Sequence, residues 1–125
     1  MNNKVCFILE GKELYIDEVF VDFNELPIYF SCISDDKYYL ALCCEYDNQN
    51  YVLVESSSKE IVEMLTAKIT IRSTFTKKVK HWVVVAGEDI TKEQLQENDF
   101  ETVFVDAFDN FKRFKIDTFK HPICM

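Results

Sequence analysis

Glycine and proline are scarce: the 125 residues hold two of each. Such a count excludes collagen-like, glycine-rich and proline-rich chains. Two glycines also cannot build most of the Gly-rich loops that cradle phosphates. Long apolar runs are missing, and none approaches the roughly 20 residues that a membrane-spanning helix needs. No CxxC pair occurs among Cys6, Cys32, Cys43, Cys44 and Cys124, and an odd count of five argues against a disulfide framework. The first residues lack the apolar core and small-residue cleavage site of a secretory leader. No terminal lipidation motif is present. A reducing cytoplasm is the expected compartment.

Signatures of chemistry are absent too. The sequence contains no GxGxxG, P-loop, HExxH or GxSxG. The two histidines, His81 and His121, have no nucleophile beside them in sequence. Cys43 and Cys44 are adjacent, so on a strand they face opposite ways and cannot readily share a metal. Asp35-Asp36, Asp47 and Glu88-Asp89 lack the alternating pattern of a calcium loop. The expectation is a protein with no catalytic centre, no metal and no cofactor.

What is present is apolar bulk and negative charge. Apolar residues make up 48% of the chain, and 11 Phe, 6 Tyr and 1 Trp supply the aromatics. That is too apolar for intrinsic disorder and enough for one core, so residues 1–125 read as a single domain. The net charge is −8, unevenly spread: residues 1–55 carry three basic and eleven acidic residues, whereas 56–82 carry six basic and two acidic. An acidic chain disfavours direct nucleic-acid binding, which rests on Lys and Arg neutralising phosphates. The basic run Lys77, Lys78, Lys80, followed by His81 and Trp82, is therefore read as a solvated connector.

Periodicity gives the elements. Alternating apolar runs at 5–9, 14–23, 28–33, 38–44 and 51–54, separated by turn residues, argue a meander of strands. The alternation slips at Asp17-Glu18, which suggests a bulge. Ser57 with Glu60 three residues later has the form of a capping box and starts a helix of about ten residues. Residues 69–75 are ambiguous, and 81–86 read as a further strand. Thr91 with Gln94 has capping form for a short helix. The 4-4-3-3 spacing of Phe100, Phe104, Phe108, Phe111 and Phe114 favours a helix within 103–114. The fold class is α+β: a mostly antiparallel sheet of five to seven strands with one main helix and a C-terminal helix.

Ile28-Tyr29-Phe30-Ser31-Cys32, the acidic turn Asp35-Asp36, Tyr38-Tyr39-Leu40-Ala41-Leu42 and Tyr51-Val52-Leu53-Val54 form one block. After the helix comes Lys68-Ile69-Thr70-Ile71-Arg72-Ser73-Thr74-Phe75. This order resembles a family of small bacterial proteins of unknown function. There a hairpin ending in a Tyr-Leu strand precedes a helix, and Gly-Ile-Ser/Thr-Leu-Arg-x-x-Phe follows it. Lys68 stands where that family has glycine. The likeness covers residues 28–86 and implies a fold and a bacterial or phage origin, without an activity.

Tyrosines flanked by acids are the most interface-like composition in the chain, because Tyr offers amphipathic contact area and carboxylates steer a basic partner. The expected function is a non-catalytic protein-binding module. Asp35, Asp36, Tyr38, Glu45, Tyr46, Asp47 and Tyr51 would form its acidic face and occlude a basic protein, such as a nucleic-acid-binding one. Immunity proteins, nucleic-acid mimics and phage inhibitors of host defence work in this way, which is an analogy rather than a derivation. Neither nucleic acid nor a membrane is an expected partner. The alternative is an accessory protein that self-assembles, for instance as a homodimer, through its C-terminal aromatics. A small enzyme is the third reading.

Overall fold

The alternating segments up to residue 56 fold as five strands, and a sixth joins them after two helices. The computed structural model describes residues 5–23, 25–45, 49–78 and 80–85. Strands β1 (Val5–Leu9), β2 (Lys12–Phe23), β3 (Leu26–Ser34), β4 (Lys37–Glu45) and β5 (Asn50–Ser56) precede helices α1 (Ser58–Leu65) and α2 (Ile71–Thr76) and strand β6 (Trp82–Val85). The six strands form one sheet in chain order, each antiparallel to the next. The architecture is α+β. The helices expected after Thr91 and within 103–114, and the Phe stripe, lie outside the described residues.

Local chemistry sets the turns. Glu10 (φ 52°) and Gly11 (φ 83°) are both left-handed and join β1 to β2. Two positive φ values match the twist of a tight hairpin, and glycine takes one of them without steric cost. Pro27, between the apolar runs at 14–23 and 28–33, lies in the first residues of β3, where a strand tolerates proline. The pairing of β2 with β3 slips between Ile16 and Glu18, where the alternation breaks in sequence. Ser31 is built into this bulge: its hydroxyl accepts the Glu18 N–H at 3.2 Å and donates to Asp17 Oδ2 at 3.5 Å.

Bulges increase strand twist, and β2 carries three register shifts. The sheet curls so far that β1 and β6, its two edges, come into contact. Cross-strand pairing sorts the side chains into two sets. Phe30, Ala41, Leu53 and Trp82 align across β3 to β6 on one face; Tyr29, Leu42, Val52 and Val83 align on the other. The first face lines the inside of the curl, where Phe7 of β1 stacks on Phe30 at 5.9 Å and meets Tyr51 edge-on at 5.4 Å. The second face lies beneath α2, with the Tyr29 and Phe75 rings 6.3 Å apart. Both faces are therefore covered, and residues 28–32 and 50–54 are buried without alternation. Full burial of one such large apolar side chain contributes about 1.5–3 kcal/mol.

The helices keep their sequence signals. The Ser57 side chain accepts the Glu60 N–H at 3.1 Å and caps α1. At the other end, Lys68 N–H donates to Glu63 C=O at 2.8 Å and Ala67 N–H to Met64 C=O at 3.1 Å. These bonds form a Schellman cap. Its left-handed residue is Ala67 (φ 62°), one position before the lysine that replaces glycine in the family resemblance. The ambiguous segment is helical: Thr70 accepts the Ser73 N–H at 3.1 Å and starts α2, which buries Ile71, Thr74 and Phe75. Among the described residues no helix is long and apolar enough to cross a membrane.

Candidate interaction surface

In an up-and-down meander, successive turns alternate between the two ends of the sheet. The β1–β2 turn, the β3–β4 turn and the β5–α1 junction share one end. The β2–β3 and β4–β5 connections share the other. Asp35 and Asp36 belong to the first group, while Glu45 closes β4 opposite Asn50 in the second. The nine residues of β4 place these groups about 27 Å apart at roughly 3.4 Å per residue. The single acidic face expected from sequence is thus corrected: Asp35 and Asp36 stand at one end of β4 and Glu45 at the other. Tyr46 and Asp47 lie outside the described residues.

Tyr51 is a second correction. It is 1% exposed, it sits edge-on to Phe7 and Phe30, and its hydroxyl donates to Pro27 C=O at 2.5 Å. A ring packed inside the curl has no surface to offer a partner, so Tyr51 is a core residue. Tyr38 remains half-buried on β4, directly after the acidic turn.

At the end carrying Asp35 and Asp36, further carboxylates gather that the sequence did not single out. Asp35 adopts the left-handed conformation (φ 54°) that aspartate tolerates in turns. Its carboxylate lies 3.9 Å from Lys12 Nζ, which brings the β1–β2 turn alongside. Glu55, at the end of β5, lies 3.9 Å from Lys37 Nζ. Both pairs are long and exposed, and such pairs contribute little to stability. Glu10 is exposed in the β1–β2 turn. Glu13 accepts a hydrogen bond from the Tyr15 hydroxyl at 3.1 Å, and that bond, with the carboxylate charge, pushes the Tyr15 phenol up.

Tyr39 lies close enough to feel three of these carboxylates. Its phenol is pushed above the ordinary value, first by burial, then by Glu55, Cys32, Glu10 and Asp35. Three of those groups are carboxylates from three separate elements, and all bear on one ring. The Tyr39 ring packs edge-on against Trp82 at 6.3 Å. Alternating turns were the signal that could have found Glu10 and Glu55, since the strands on either side were already legible.

Other groupings offer less. Trp82 is 6% exposed, so its ring cannot stack a nucleobase. His81 is buried, with Nε2 at 2.8 Å from Phe75 C=O. Among the described residues no group of three His, Cys, Asp or Glu is placed to hold a metal ion. An open groove of about 380 Å³ runs along α1 between Ser58, Lys59, Val62, Glu63 and Lys68. Val62 there is 57% exposed. No protein-family model, curated protein or solved structure matches the chain.

Proposed function

We propose that the chain is a non-catalytic protein-binding module whose acidic sheet end covers a basic surface on another protein. The carrying observation is that the β1–β2 turn, the β3–β4 turn and the end of β5 lie at one end of the sheet, with Lys12 of the first turn 3.9 Å from Asp35 of the second and Glu55 paired with Tyr39. At this end Glu10, Glu13, Asp35, Asp36 and Glu55 outnumber Lys12 and Lys37, and half-buried Tyr38 borders them. Rim charges of this kind steer association and set specificity against other partners. Tyr15 and Tyr38 add amphipathic contact area within the same rim. A nucleic-acid-binding protein is the partner chemistry this reading favours, because its phosphate-binding surface is already rich in Lys and Arg.

The test exploits the two ends of the sheet. Reversing Glu10, Asp35, Asp36 and Glu55 to lysine should weaken binding to a basic protein captured from the native host by more than about tenfold. It should also flatten the salt dependence of the on-rate. The same reversal of Asp22, Glu25 and Glu45, at the far end, should leave both nearly unchanged. Equal losses at the two ends would show that net charge, and no particular surface, governs binding.

A further inference from the structure

Three ion pairs join described residues to one another on this side of the molecule, and one differs from the others. The side chains of Lys12–Asp35 and Lys37–Glu55 are 52–78% exposed, whereas those of Lys78 and Glu60 are 22% and 24% exposed. Lys78 Nζ donates to Glu60 Oε1 at 2.5 Å and to Glu55 C=O at 2.7 Å. The Ser56 hydroxyl donates to the same Glu60 oxygen at 2.5 Å. Charge-assisted bonds that are partly withdrawn from water are stronger than exposed ones. This knot ties the segment after α2 and the first turn of α1 to the last two residues of β5.

The position of the knot matters. Glu55 is one of the carboxylates that act on Tyr39, and its backbone carbonyl is the group Lys78 holds. That bond adds a restraint on the strand end to the β4 pairing of Glu55 with Tyr39 and Ser56 with Tyr38. Resting on the proposed binding role, we infer that Lys78 is a positioning residue for the acidic surface: by clamping the Glu55 carbonyl and Glu60 it holds the end of β5, from which the Glu55 side chain projects, at the sheet end that carries Asp35 and Glu10. Lys78 itself does not contact the partner in this arrangement.

The inference has a sign that simple charge does not share. Lys78→Met removes a positive charge near a negative surface, so Coulomb's law alone predicts tighter binding of a cation. Loss of positioning predicts weaker binding. The experiment measures the Kd of a short poly-arginine peptide by calorimetry at low, fixed salt, at a temperature where every variant is folded by circular dichroism. Lys78→Met should weaken binding by about three- to tenfold, and Lys78→Arg, which keeps donors for both oxygens, should restore it. Unchanged or tighter binding by Lys78→Met, or a Lys78→Arg variant as weak as Lys78→Met, overturns the positioning role. Peptide binding that survives reversal of Asp35 and Asp36, or no binding by the unaltered chain, overturns instead the reading on which it rests.

Discussion

Inside the curled sheet, Phe7, Phe30 and Tyr51 bury their rings, with Phe30 the most accessible at 2%. At the end carrying Asp35 and Asp36, Tyr15 and Tyr38 keep part of their surface in solvent. Both regions draw on residues with the same β-forming preference, the interior rings from β1, β3 and β5 and the rim rings from β2 and β4. What separates them is the face of the sheet: Tyr15 and Tyr38 both align with Ile33 on the face opposite Phe30, and the adjacent Tyr39, on the inner face, is buried. A ring on the inner face meets other rings across the curl, while Tyr15 and Tyr38, on the opposite face and near the turns, meet carboxylates and water. The interior therefore answers for stability and the end for recognition, and substitutions can be used to pull the two apart.

The largest effect belongs to the interior. Phe30→Ala removes a ring that contacts both Phe7 and Tyr51, and it should cost about 3–5 kcal/mol of folding stability in urea titrations. Binding per folded molecule should persist. The next effect appears at high pH. Burial pushes the Tyr29 phenol far above the ordinary value of 10.0. The folded state then holds a proton that the unfolded state has lost, so stability is full below that value and falls as pH rises beyond it. Tyr29→Phe should flatten this alkaline loss in pH-dependent melting; an unchanged slope would mean that other groups cause it. Tyr51→Phe deletes the hydroxyl bond to Pro27 C=O. It should cost about 1 kcal/mol, with the binding of a basic partner unaltered. Smallest in stability is Tyr38→Ala, within about 0.5 to 1 kcal/mol for a half-exposed strand position, yet it should weaken the partner complex measurably. A Tyr51→Phe variant that loses binding while Tyr38→Ala keeps it would dissolve the division between interior and end.

Much of the fold was legible because each element states its own chemistry. The strands alternate, Glu10-Gly11 demands a tight turn, the break at Asp17 is a bulge, and Ser57 with Glu60 is a cap. The segment at 69–75 was ambiguous because Ile69, Thr70 and Ile71 favour strands, whereas the Thr70–Ser73 capping bond starts a helix there. Tyr51 was misjudged for a different reason. Residues 50–54 are buried on both faces, so no alternation distinguishes core tyrosines from rim tyrosines. The acidic residues were grouped by nearness in sequence, although strand direction sends neighbouring turns to opposite ends. Glu60 shows the same gap between pattern and geometry. Its spacing identifies a capping box, but its carboxylate bonds Ser56 and Lys78, a residue 18 positions away.

The meeting of β1 with β6 has a consequence for synthesis on the ribosome. These strands are separated by more than 70 residues, with Leu9 ending one and Trp82 beginning the other. Contacts so distant in the chain form slowly. A nascent polypeptide can assemble its first five strands as they emerge, yet its aromatic cavity stays unsealed until Val85 has left the exit tunnel. Translational pausing before that point would leave the Phe7 and Phe30 rings available to chaperones, whereas uninterrupted elongation would seal them.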